Sequence, residues 1–242
     1  MSATLDNRAE YRRALLRLLA MGTSDGSVAE HEASAGDTLN HIIQHGVWEA
    51  QNWYLNNVDP ERWRKRSSAI TWSGADATDG GRYVALASDF LRLYGTRERS
   101  ALVEADGARW GYLIDPIDRY EVRGSYYWID ATSVGVERLW IARSASPPAT
   151  LYYEYTYRHP TFTDDVTAAE FPLQDAPLIV AFAGQYAMHH PFFPGGEELK
   201  GSIRENLKFW QTQCYVRGRR SREPRKVKSN RTIGTRWWTG AQ

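Results

Sequence analysis

Cysteine is nearly absent. The 242-residue chain has one, Cys214, which excludes an intramolecular disulfide framework and any cysteine-rich metal site. Long apolar runs are also missing: no stretch of about 18 apolar residues occurs, so no membrane-spanning helix is predicted. Residues 1–20 lack the basic start and unbroken apolar core of a signal peptide. These absences predict a soluble protein that stays in the compartment where it is made. The chain has no phosphate-binding loop, dinucleotide fingerprint or nucleophile elbow either, and no catalytic set emerges from its motifs.

What it has in excess is aromatic surface and a lopsided charge. Ten Trp and fourteen Tyr are a heavy aromatic load, and such residues are favoured in interfaces as well as cores. From Arg217 to Gln242 stand nine basic residues (Arg217, Arg219, Arg220, Arg222, Arg225, Lys226, Lys228, Arg231, Arg236) against the single acid Glu223. That segment is +8, which leaves residues 1–216 at −7 for a whole-chain charge of +1. It lacks a helical apolar period and closes on Trp237 and Trp238, so residues 216–242 are predicted to be an extended docking arm.

The rest divides by hydrophobic period. Residues 5–20 set Leu5, Tyr11, Leu15, Leu18 and Leu19 at helical spacing, with Gly22 as the stop. Residues 22–36 are small, polar and acidic, a loop by composition. A second helix is predicted from Asp37, its N-cap, to Asn57, with Leu39, Ile43, Val47, Ala50 and Tyr54 as its stripe. Between residues 69 and 157 come seven short β-rich pieces: AITWS (69–73), RYVAL (82–86), ALVEA (101–105), WGYLI (110–114), SYYWI (125–129), RLWIA (138–142) and TLYYEYTY (150–157). Turn residues separate them, which suggests an antiparallel sandwich or small barrel. Asp175 is then read as the cap of a helix with Pro177 in its first turn. The helix body, LIVAFAGQYAMHH (178–190), is apolar nearly all round and should lie between neighbours. A last helix, Glu197 to Tyr215, carries Leu199, Ile203, Leu207, Trp210 and Cys214 on one face. The predicted fold is α+β: a four-helix bundle (1–62 and 163–215) with an antiparallel β domain (63–162) inserted between helices 2 and 3, plus the basic C-terminal arm.

Each candidate for chemistry has a plainer reading. His41 and His45 share a helix face, as metal-binding histidines do, but without the glutamate of the zinc-protease motif they read as solvated or interface residues. His189 and His190 end a helix, where cations suit the dipole. Asp76 and Asp79 sit in a Gly-rich stretch without a calcium loop's ligand spacing and read as a hairpin tip. Arg217 would lower the pKa of Cys214, yet that cysteine fits the buried stripe. The expectation is a non-enzyme without metal or cofactor.

Four segments in order carry a resemblance: GRYVALASDFLRLYG (81–95), SYYWIDAT (125–132), LYYEYTYRHPTFTDD (151–165) and FPLQDAPLIVAFAGQYA (171–187). Together they resemble the head-to-tail adaptor (head completion, or connector) proteins of tailed bacteriophages over roughly residues 36–210. The chain departs from that family where a proline usually precedes the Asp-Phe pair; Ala87-Ser88 stand there instead. The resemblance implies a homo-oligomeric ring, commonly a dodecamer, bound beneath the portal protein at the virion neck. It implies tail or nozzle proteins, and fibres in some systems, attached below, and an extended C-terminal segment reaching onto the portal. An acidic body suits a channel through which DNA slides without sequence-specific binding. The aromatic β domain suits attachment of tail proteins.

Two other classes remain open. The chain reads second as a nucleic-acid-binding protein using the arm for phosphates and Trp237 and Trp238 for stacking, although the −7 body argues against a basic binding face. Trp72, Trp110, Trp128 and Trp140 allow a carbohydrate-active β domain.

Overall fold

Asn7 starts the first helix, α1 (Arg8–Leu18), by accepting the Glu10 N–H at 3.1 Å, while Glu10 reaches back to the Asp6 N–H at 2.9 Å. The computed structural model of the protein describes residues 5–19, 25–72, 81–94, 101–112, 125–131, 137–142, 150–191 and 195–222. Over these the chain is mixed α+β, with four helices and two mainly antiparallel sheets.

The second helix, α2 (Asp25–Asn57), is longer than its sequence suggested. The predicted loop at 22–36 is helical from Asp25, and Asp37 lies inside the helix rather than capping it. Ala and Glu recur through GSVAEHEASAG, and these strong helix formers offset the polar composition that reads as loop. The expected stripe of Leu39, Ile43, Val47, Ala50 and Tyr54 is buried throughout.

After the strands come α3 (Pro177–Ala187) and α4 (Glu197–Arg222). A 3₁₀ turn, Leu173–Asp175, leads into α3, whose N-cap is Ala176 without a side-chain hydrogen bond. Asp175 is therefore not the cap; its carboxylate is engaged elsewhere. α3 packs against α1, α2 and α4, which explains why it is apolar nearly all round. α2 and α3 approach backbone to backbone at Gly46: a β-carbon there would lie 2.7 Å from Ala183 Cβ and 2.8 Å from Ile179 O. His189 and His190 lie just past the end of α3.

Among the described residues eight strands lie between α2 and α3: β1 (Arg64–Arg66), β2 (Gly81–Ala85), β3 (Phe90–Leu93), β4 (Leu102–Glu104), β5 (Gly111–Tyr112), β6 (Tyr126–Ala131), β7 (Glu137–Ala142) and β8 (Leu151–Tyr157). One sheet is centred on β8, with β1 on one edge and β3 and β4 along the other. The second runs β2-β7-β6-β5, its β5–β6 pair parallel. Residues from both sheets share a core of Leu102, Tyr153 and Tyr155 with Tyr127, Leu139 and Ile141. AITWS is not a strand over 69–72, and β1 and β3 were not foreseen. Both are short polar-containing runs recruited by β8.

The turn at Ala87-Ser88 needs no proline. The Ala87 N–H donates to the Tyr153 hydroxyl oxygen at 2.8 Å, and Tyr155 donates its hydroxyl to Asp89 at 2.9 Å. The Phe90 ring stacks on Tyr155 at 5.9 Å.

Beyond β8 the chain is zipped onto α2 by side chains at helical spacing. Gln51 donates to Tyr157 O (2.8 Å) and accepts from the His159 N–H (2.9 Å). The Trp48 indole donates to His159 O (3.1 Å), and Gln44 accepts from the Phe162 N–H (2.9 Å). Buried His159 is also committed, its Nδ1 to Pro160 O at 2.7 Å and its Nε2 accepting from the Glu170 N–H at 2.9 Å. That acceptor role requires the neutral ring, and burial pushes the imidazole pKa down. The unfolded chain therefore binds the proton more readily, so the stabilisation is full above about pH 6.5 and shrinks as pH falls towards the folded-state value. Stability should therefore fall between pH 7 and 5 through this residue. Urea unfolding of wild type and His159→Gln across that range checks it, because the difference between the two curves should be pH-dependent.

Candidate interaction site at the end of α4

The C-terminal end of α4 is where the predicted arm was to begin, and here the structure corrects the sequence reading. Arg217, Arg219, Arg220 and Arg222 lie on α4 rather than in an extended segment. Arg225, Lys226, Lys228, Arg231, Arg236, Trp237 and Trp238 lie outside the described residues. Helix continues past Tyr215 because arginine is a good helix former and basic side chains suit a helix C-terminus. A tertiary contact adds to this.

That contact is a buried ion pair. Asp175 is 1% exposed and its Oδ1 accepts from Arg217 Nε at 2.8 Å, while Oδ2 accepts from the Tyr54 hydroxyl at 3.1 Å. Arg217 also donates to Gln174 O at 3.1 Å. Gly218 permits the approach, since a β-carbon there would lie 2.4 Å from Val58 Cγ1. Three elements thus meet at one carboxylate: the end of α2, the 3₁₀ turn and the last turns of α4. Beside them Cys214 is fully buried, and burial, with Asp175 near, pushes its thiol up to about 12. Arg217 at 3.6 Å does not reverse this, so the cysteine is a core residue and not a thiolate.

The other sequence candidates are accounted for by packing. His45 stacks on Tyr186 with centroids 4.0 Å apart and His41 meets the same ring edge-on at 6.3 Å. Among the described residues no group of three or more His, Cys, Asp or Glu could hold a metal ion. Asp76 and Asp79 lie outside the described residues. Trp110, Trp128 and Trp140 are at most 2% exposed, so they are no platform for a sugar ring.

Two charged clusters were not foreseen. Asp165 accepts from Arg12 through both oxygens at 2.7 and 2.8 Å and from Arg8 at 2.6 Å. Those bonds, Arg12's first, outweigh burial and hold its carboxyl at about 2. Glu154, 2% exposed, lies against Arg64 at 2.8 Å, Arg66 at 3.2 Å and Arg109 at 3.6 Å. Burial acts to raise its pKa, but the hydrogen bonds from Arg64 and Arg66 hold it below the usual carboxylate range. The partners of each cluster are far apart in sequence, so spacing carries no trace of them.

No family model matches the chain, and no curated protein does. The described chain is an α+β body in which His159 and Cys214 are buried and the basic end of α4 is tied to the core through Arg217. Among the described residues no helix is long and apolar enough to cross a membrane.

Proposed function

We propose that the protein is a structural head-to-tail adaptor of a tailed-bacteriophage virion. In this reading α1–α4 form a four-helix bundle that packs side by side into a homo-oligomeric ring beneath the portal protein. The β domain, inserted between α2 and α3, faces tail or nozzle proteins and fibres. DNA passes through the lumen without sequence-specific binding, and the protein acts without enzymatic chemistry, metal or cofactor. It is made in the host cytoplasm and resides at the neck of the virion.

The observation that carries the reading is the lock at Asp175. A basic segment ending in two tryptophans is useful as an anchor only if it leaves a rigid body at a fixed point, and Arg217 fixes that point to within a hydrogen bond. Exposed ion pairs contribute only about 0.2 to 1 kcal/mol each, so charge steers the segment and burial of Trp237 and Trp238 holds it. Each indole sequesters roughly 150 to 250 Å².

Deleting residues 223–242 tests this. The truncated protein should keep its unfolding midpoint yet fail to co-sediment with portal rings, giving DNA-filled heads that leak or lack tails. Trp237→Ala with Trp238→Ala should weaken attachment even at low salt. Unchanged portal affinity after truncation would remove the segment from the junction.

A further inference from the structure

The edge of the β8 sheet carries an arrangement the adaptor reading does not use. β1 pairs with β8 on one side only. Tyr157 N–H bonds Trp63 O at 3.0 Å and Ser67 N–H bonds Tyr153 O at 2.9 Å, with Lys65 opposite Tyr155 between them. In an antiparallel ladder alternate residues turn their amides to the partner strand, so those of Arg64 and Arg66 turn away from β8. The Arg64 N–H returns to Glu61 O at 3.1 Å. Among the described residues no strand lies beside the Arg64 carbonyl or either amide group of Arg66.

The side chains at this edge are equally specific. Arg64 and Arg66 share one oxygen of buried Glu154, at 2.8 and 3.2 Å. Arg64, Arg66 and Arg109 against Glu154, with Glu61 beside Arg64, still leave a net positive charge at the edge, and the Arg66 side chain is 55% exposed. Arg64 lies over the Tyr94 ring at 4.5 Å and Arg66 over Tyr152 at 5.6 Å, which fixes both against the sheet. Exposed Arg62 precedes them. Lys65, on the other face, is neutralised by Asp89 at 3.0 Å.

Cationic residues on an edge strand oppose pairing with a second copy of the same strand. The same charges favour a strand of opposite sign, because charge matching across neighbouring strands stabilises and like charges oppose. Arg and Tyr are also the residues enriched where partners bind. A nucleic-acid phosphate can accept the outward N–H of Arg66, but phosphates carry no donor for its C=O and cannot continue the ladder.

We propose that β1 is a docking edge for an extended acidic segment of a partner protein, which adds as a strand beside Arg64–Arg66 and sets its carboxylates against Arg62, Arg64 and Arg66. Backbone pairing supplies the contact and charge supplies the selection. This holds whether or not the protein forms a ring.

The test uses the full chain and three probes: a fluorescent peptide of alternating Glu with Thr or Val, its Lys counterpart, and a short DNA duplex. The acidic peptide should bind at low salt and slow hydrogen exchange of the Arg66 amide at least tenfold, and the Lys peptide should do neither. Arg66→Glu should weaken binding at least tenfold. Arg66→Pro, which relative to Arg66→Ala also removes the outward N–H and is tolerated on an edge, should bind several-fold more weakly than Arg66→Ala. No binding of the acidic peptide, equal binding of the Lys peptide, an unprotected Arg66 amide, or displacement of the peptide by the duplex would each overturn the proposal. Should Arg66→Pro not fold, amide exchange in the wild-type protein decides alone.

Discussion

Gly46→Ala should destabilise the protein by about 3 kcal/mol or more, the upper end for overpacking. The added methyl would meet Ala183 N at 2.8 Å and Ile179 O at 2.8 Å. Those are backbone atoms of α3, which no rotamer change can move aside, so the two helices must separate. At roughly 2 to 4 °C per kcal/mol for a chain of this size, the unfolding midpoint should fall by about 6 to 12 °C. Gly36→Ala is the control, ten residues earlier on the same helix. Nothing lies within 4 Å of a β-carbon there, so that substitution should stabilise by up to about 1 kcal/mol. Opposite signs for one chemical change on one helix, read by thermal unfolding, distinguish close packing from helix propensity. A mild effect at Gly46 would mean that α2 and α3 do not touch as described.

Arg217→Ala should cost about 3 kcal/mol, near the low end for breaking a buried ion pair because the guanidinium is partly exposed. It leaves the Asp175 carboxylate inside the protein with only the Tyr54 hydroxyl and the Cys214 thiol, neither of them a cation, beside it among the described residues. Replacing both members by apolar residues, Asp175→Leu with Arg217→Met, should recover most of the loss, since such pairs are often no more stable than their hydrophobic replacements. The functional readout should not recover with stability: the double variant frees the end of α4 and should attach to portal more weakly than wild type. Chemical unfolding together with portal co-sedimentation separates the two effects.

How much was legible in the sequence depends on how local the signal was. The stripes of α2 and α4 followed from spacing, and Ile203, Leu207 and Cys214 are buried as that spacing predicted. The burial of α3 on several sides followed from its unbroken apolar run. Composition misled at Asp25–Gly36, where polar Ala- and Glu-rich residues extend a helix, and at Arg217–Arg222, where a charge run is helical. Asp175 looked like a cap because it precedes Pro177, yet its partner Arg217 lies 42 residues away. Gln44 and Gln51 gave no signal at all. They are buried polar residues whose partners, the Tyr157, His159 and Phe162 backbones, lie on a different element. Most of the basic segment, and with it Trp237 and Trp238, lies outside the described residues, so its role rests on charge, composition and the fixed point from which it departs.

The mass of the purified protein, alone and mixed with a tailed-phage portal ring, tests the adaptor reading most directly. Native mass spectrometry should show a monomer or weak oligomer alone, because in the adaptor reading ring closure waits on the portal. With portal present it should show a complex heavier by a full ring of 27.6 kDa subunits. A portal mass that does not change at saturating protein would contradict the adaptor reading, and so would a stable, salt-resistant ring formed without portal contradict the order of assembly.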